Sequence, residues 1–167
     1  KYNTADGTLL WSTASNVGCI SHYQYIHLIS TGDISSMAID SNDDVYVCSG
    51  FSVSFTFGGL SLTNSGGIDG FIMKISGSTG QGIWVQKFGG SGNDICKAIT
   101  IDPAGFVIMA GEVGTSSGVT VAGQTISNPG TGRSVMFISK LSASTGANTW
   151  MVQTTITGDN TGVIARG

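Results

Sequence analysis

Short runs rich in Val, Ile, Phe, Tyr and Thr alternate along the chain with clusters of Gly, Asn, Asp and Ser. This is the pattern of β-strands bounded by turns. No stretch of about ten residues carries apolar side chains at helical spacing. The pattern therefore predicts an all-β fold with two sets of four strands. Strand A falls at 34–39 and 95–101, strand B at 45–49 and 106–110, strand C at 70–76 and 135–141, and strand D at 83–88 and 149–156. The A–B and C–D connections are short. Asp102-Pro103-Ala104-Gly105 and Ser78-Thr79-Gly80-Gln81 have the composition of tight turns.

The two sets belong to one repeat. Lys74-Ile75-Ser76-Gly77-Ser78-Thr79-Gly80 precedes Trp84, and Lys140-Leu141-Ser142-Ala143-Ser144-Thr145-Gly146 precedes Trp150. Lys1-Tyr2-Asn3-Thr4-Ala5-Asp6-Gly7 stands in the same way before Trp11. After each Trp comes Gly-Asp or Gly-Asn-Asp, at Gly32-Asp33, Gly92-Asn93-Asp94 and Gly158-Asp159. Phe55-Thr56-Phe57-Gly58-Gly59-Leu60-Ser61-Leu62 matches Val119-Thr120-Val121-Ala122-Gly123-Gln124-Thr125-Ile126.

Strand B is apolar on both faces. Val45 and Val47 point one way, Tyr46 and Cys48 the other, and Phe106, Ile108 and Ala110 alternate with Val107 and Met109. Matching Gly50 to Gly111 puts Cys48 in the place of Met109, as a small buried apolar residue. A sheet with one wet face would alternate apolar with polar, so these sheets are covered on both sides. Four-stranded sheets stacked face to face and arranged radially make a β-propeller. The expected division is the end of one blade at 1–17, an insertion at 18–31, full blades at 32–90 and 91–157, and the start of the next at 158–167. The chain is accordingly read as part of a larger propeller. Trp11, Trp84 and Trp150 are expected to be structural, each packing its ring on the next blade.

Three segments carry a family likeness. Asp69-Gly70-Phe71-Ile72 with Lys74, Trp84 with Phe88-Gly89-Gly90-Ser91-Gly92-Asn93-Asp94, and Ala98-Ile99 with Ile101-Asp102 and Gly105 resemble the SBBP-type (bacterial-type) β-propeller repeat. The resemblance implies a propeller in a large secreted or cell-surface protein, without catalytic residues. The Thr-Gly-x-x-x-Trp element also resembles, in part, the tryptophan-docking motif of quinoprotein propellers. The Ala and Asp preceding the Thr in that family are Lys74 and Ser76 here, and Lys140 and Ser142 in the next copy.

Gly (26), Ser (22) and Thr (18) fill about two fifths of the 167 residues, while charged residues are only 10%. A net charge of -3 argues against a nucleic-acid binder working through phosphate contacts. No apolar run approaches the ~20 residues of a membrane helix, so no membrane insertion is expected.

The long connections are the 16–31 segment and the B–C links at 50–69 and 111–134. Strand parity sends all of them to one end of the blades, which predicts a loop-rich binding face. Its candidate residues are His22, Tyr23, Tyr25, His27, Phe55 and Phe57. The alternative is that the ribbons at 55–62 and 119–126 cover sheet edges or pack on each other. Cys19, His22 and His27 offer zinc donors, but at no known finger spacing, so no metal is assigned. Asp40-Ser41-Asn42-Asp43-Asp44 begins like a calcium loop and lacks the Gly and distal Glu, so an Asx-rich turn is expected. Asp33, Asp94 and Asp159 are expected to cap Gly-rich turns. Three cysteines without close spacing give no disulfide framework.

No Ser-His-Asp set can be assembled, since both histidines lie in one insertion. The reading is a non-enzymatic structural or protein-interaction module, extracellular or at the cell surface, with no cofactor. Its partners would be other protein subunits or a surface polymer. The alternatives are a glycan-binding propeller and a quinoprotein-like oxidoreductase.

Overall fold

The structure, a computed structural model, describes residues 5–12, 34–114, 118–128 and 134–154. Among them the fold is all-β. Twelve strands form two four-stranded antiparallel sheets and two two-stranded ribbons. The 16–31 segment, with Cys19, His22, Tyr23, Tyr25 and His27, lies outside the described residues, as do Asp33 and Asp159.

The first sheet runs β1 (Ser36–Ile39), β2 (Val45–Phe51), then β5 (Asp69–Ile75) and β6 (Gly82–Phe88), each antiparallel to its neighbour. The second runs β7 (Ile95–Ile101), β8 (Val107–Val113), β11 (Val135–Leu141) and β12 (Asn148–Gln153) in the same order. All eight expected strands are present, with ends shifted by at most a few residues. The ribbons β3 (Phe55–Phe57) with β4 (Leu60–Leu62), and β9 (Val119–Val121) with β10 (Gln124–Ile126), stand apart from the sheets. Each turns on two left-handed residues, Gly58 and Gly59 in one and Ala122 and Gly123 in the other. That is the backbone a two-residue type I′ hairpin requires.

Pairing register corrects the alignment of strand B. Asp40 and Asp102 each start an A–B turn, closed by Asp44 and Phe106 in turn. Val45 therefore corresponds to Val107, Val47 to Met109, and Cys48 to Ala110 rather than Met109. A one-residue slip exchanges the two faces of a strand. Matching Gly50 to Gly111 from sequence made that slip.

With the register set, the packing becomes regular. Tyr46, Cys48, Ile72, Trp84 and Phe88 of the first sheet face Ile99, Val107, Met109, Val113, Val135, Phe137 and Leu141 of the second in one continuous core. Phe88 meets Phe137 edge-on at 5.3 Å. The other face of the first sheet carries Val47, Phe51, Phe71, Met73 and Ile75, packed with Phe55 and Leu62 of the first ribbon and partly with Trp11. Every residue of β5 is buried, as a central strand covered on both faces must be.

The ribbons depart from the expected loop geometry. Both spring from the end of the sheet that holds the D–A link, where Ile68 bridges to Asn93. They then fold back along the sheet, and their tips lie at the opposite end. The Gly82 N–H donates to the Gly58 carbonyl at 2.5 Å, and Asn148 N–H to the Ala122 carbonyl at 3.1 Å. The elaboration is therefore not confined to one end. Phe55, with Phe51 and Phe71 around it at 5.3 and 5.7 Å, is a core ring, and Phe57 is half-buried beside it. Both were expected as binding residues; they are packing residues, because the ribbon lays its apolar side on the sheet.

Gly70 shows how tight this packing is, since a Cβ there would sit inside the Phe88 ring. Gly105, at φ +82 with open space around it, has Asp43 as its counterpart in the other copy at φ +63. Gly70→Ala is expected to cost about 1–3 kcal/mol through overpacking, and Gly105→Asn less than ~1 kcal/mol. Denaturant midpoints of the two variants check this.

Candidate interaction site between sheets

The repeated sequence Lys-Φ-Ser-x-Ser-Thr-Gly, where Φ is Ile or Leu, builds the same C–D turn twice. The Ser76 hydroxyl accepts N–H bonds from Ser78 and Thr79, both at 3.3 Å, and the Thr79 hydroxyl accepts from Gln81. Gly80 donates its N–H to the Ser76 carbonyl at 2.9 Å, as Gly146 does to Ser142 at 2.8 Å. Both glycines are left-handed, at φ +74 and +71. Side-chain bonding of this local kind is what Ser and Thr supply in turns.

Each such turn is a seat for the tryptophan of the preceding unit. Trp84, on β6, donates its indole N–H to the Ala143 carbonyl at 3.0 Å and lies over Gly146. Trp11 donates to the Gly77 carbonyl at 2.9 Å and lies over Gly80. A Cβ at either glycine would strike the indole, so glycine serves both the backbone angle and the approach of the ring. Trp84 is only 9% exposed, whereas Trp150 is 44% exposed. Trp11 and Trp84 are thus each bonded into a C–D turn that follows in the chain. Trp150 sits on the outer face of the second sheet, where no described residue covers it.

The recurring lysine completes the seat. Lys74 pairs with Asp40 at 3.1 Å and Asp44 at 3.0 Å, and its ammonium also reaches the Ala143 carbonyl at 3.4 Å. The Tyr46 hydroxyl donates to Asp40 at 2.9 Å, while the Tyr46 ring meets Trp84 edge-on at 5.9 Å. Burial alone would lower the pKa of Lys74, but its bonds with Tyr46, Asp44 and Asp40 outweigh that and raise it. Burial would raise the pKa of Asp40, and Tyr46, Lys74 and two backbone N–H groups bring it below the usual carboxylate range. Lys74 is therefore a held cation rather than a proton donor at neutral pH. In the second copy Lys140 pairs with Asp102 at 2.7 Å and lies 4.2 Å from the centre of the Phe106 ring.

The remaining sequence candidates are satisfied structurally. Asp40 Oδ1 accepts the N–H groups of Asn42 and Asp44, and Asp102 Oδ1 those of Ala104 and Phe106. The 40–44 segment is the Asx turn expected of it. Asp94 accepts N–H bonds from Gly90 at 3.0 Å and Gly114 at 2.9 Å, so it ties its own turn to the next B–C link. Its burial raises its pKa against those bonds. No group of three potential metal ligands occurs among the described residues.

One pairing was not legible from sequence. Cys48 and Cys96, both fully buried free thiols, meet across the sheet interface. Burial first, and the Cys48 thiol second, push the Cys96 pKa well up, which makes it a poor nucleophile. The Trp84 indole and the Lys74 ammonium thus join the first sheet to the C–D turn of the second at the Ala143 carbonyl.

No family model matches the chain, and no curated protein matches it.

Removing a large core aromatic costs about 3–5 kcal/mol, so Trp84→Ala is expected to lower stability by that amount. Trp150→Ala, at a site 44% exposed, is expected to cost clearly less, about 1 kcal/mol. Chemical unfolding of both variants checks the asymmetry, and equal losses would contradict it.

Proposed function

We propose that this chain is a segment of a β-propeller serving as a non-enzymatic structural and protein-interaction module of an extracellular or cell-surface protein. The observation that carries the reading is the repeated docking of a tryptophan from one unit into the Lys-Φ-Ser-x-Ser-Thr-Gly turn of the next. A second observation supports radial stacking. β7 packs directly on β1, β2 and β5, while at the outer strand β6 the ribbon β9–β10 enters between the sheets. Sheets that touch at their inner strands and need a filler at their outer strands are splayed like blades. Under this reading the blades are 32–90 and 91–157, with parts of neighbours at 1–17 and 158–167.

The nature of the module follows from its polar groups. Among the described residues Lys74 pairs with Asp40 and Asp44, Lys140 pairs with Asp102, and Asp94 holds backbone N–H groups, which supports a packing role for these charges. The short-turn end is filled by tryptophan seats and ribbon tips. Under this reading a partner protein or surface polymer docks at the other end, formed by the D–A link around Gly89–Asn93 and the bases of the B–C links. Low charge and a Ser/Thr/Gly-rich surface suit an exposed assembly.

Hydrogen exchange on the chain, captured with its native partner, tests this. Protection is expected at 63–68 and 89–93, with the turns at 40–44, 76–81, 102–105 and 142–147 unchanged. An interface formed chiefly by those short turns, or reproducible turnover in an oxidoreductase or hydrolase screen, would overturn the reading.

A further inference from the structure

The two buried thiols meet where the backbones of the two sheets approach each other. Cys48 lies on β2 between two contacts with β7. On one side its register partner, Ser36, accepts the Ile99 N–H on its hydroxyl oxygen at 3.2 Å. On the other side is Gly50, which shares the face of Cys48 by strand alternation. A Cβ at Gly50 would lie 3.3 Å from the Ile95 side chain and 3.5 Å from the Asp94 carbonyl oxygen. Cys96 falls between Ile95 and Ile99 on β7. The Cys96 thiol is within hydrogen-bonding reach of the Cys48 thiol, and it also reaches the Ala110 carbonyl at 3.8 Å. Both cysteines are 0% exposed.

Sheets packed face to face lie about 10 Å apart, whereas a disulfide joins Cα atoms about 4.4–6.8 Å apart. Glycine at position 50 and the small Ser36 let β2 and β1 come close to β7, which is what brings the sulfurs together. The register counterpart of Cys48 in the second sheet is Ala110, so the second sheet does not repeat the arrangement.

We infer that Cys48 and Cys96 form a disulfide site, a covalent bond that fastens β2 of the first sheet to β7 of the second when a small-molecule disulfide is present. The Cys48 thiolate attacks the small disulfide and releases one small thiol, leaving a mixed disulfide. The Cys96 thiolate then attacks the Cys48 sulfur and releases the second. The two cysteines lose two protons and two electrons, and the small disulfide gains both to become two thiols. Burial makes the folded thiols slow to react, so the bond closes while the strands are apart, and burial then shields it from reductants. Cys96 stands near the D–A end of the sheets, whereas the tryptophan seat is at the C–D turn. The bond would therefore hold the interface at its second end. The inference rests on the contact between the two sheets and not on the closure of a ring or on a partner.

The thiol–disulfide equilibrium of the 167-residue chain with reduced and oxidised glutathione tests it, in native buffer and in concentrated urea. Equilibrium is approached from both the reduced and the oxidised chain, because burial slows exchange. In the wild-type chain, mass spectrometry of proteolytic fragments is expected to find the peptides of Cys48 and Cys96 joined. In a Cys19→Ser chain, which keeps only these two thiols, the constant for forming the bond is expected to be at least about 30-fold larger in the native than in the unfolded state. That is the factor by which a disulfide of ordinary strength favours folding. A smaller ratio, or a native wild-type chain whose bond maps to Cys19, would overturn the inference. Either result leaves the propeller reading standing, since that reading is tested by its own interface and turnover measurements.

Discussion

A four-stranded sheet with apolar side chains on both faces cannot stand alone in water, and this constraint shapes the whole molecule. β2 and β5 bury nearly every residue, on both sides. Each face must find a cover, and the covers differ. The second sheet closes one face of the first through Met109, Phe137 and Leu141. The ribbon β3–β4, with Phe55 and Leu62, closes much of the other, together with Trp11. Where a cover is missing, the apolar positions are exposed, as at Met37 and Ile39 on one side and Trp150 and Val152 on the other.

Apolar contact alone would let two sheets slide over each other, because it is non-directional. The tryptophan seat supplies direction. An indole N–H has one donor and needs one acceptor in line, and the Ala143 carbonyl provides it in a turn whose shape is fixed by Ser142, Thr145 and Gly146. Lys74 reaches the same carbonyl while paired with Asp40 and Asp44, so the polar groups of one sheet and the turn of the next are joined at a single point. A buried cation is costly unless paired, and the two carboxylates meet that need. The outcome is an interface that is both apolar and registered.

Much of this could be read from the chain. The strands were visible because each is a run of β-formers closed by Gly, Asn, Asp or Ser, and because the repeat supplied two independent views of each. The Asx turn at Asp40 and the capping role of Asp94 followed from residue chemistry. Three things were hidden. The strand B register was lost because Gly50 and Gly111 looked equivalent, while the true marker was the A–B turn, where Asp43 replaces Gly105 in a left-handed position. The course of the ribbons was lost because a hairpin's sequence gives its turn but not the surface it lies on, so Phe55 and Phe57 looked available for binding. The meeting of Cys48 with Cys96 was lost because it depends on how two sheets stack, which no local spacing encodes. The lysine belongs to the repeat, and its recurrence 34 residues after Asp40 and 38 after Asp102 is the clue in the sequence to an ion pair.

The central claim is that adjacent units are held by an indole N–H bonded into the next unit's turn. The three tryptophans report on it separately through their indole Nε1–H resonances in an NMR spectrum of the dilute, monomeric chain. Exchange of these protons with solvent is the decisive measurement. The account predicts slow exchange at Trp84 and Trp11, whose indoles are bonded to Ala143 and Gly77, and fast exchange at Trp150. Three indole protons exchanging at the same rate would contradict it.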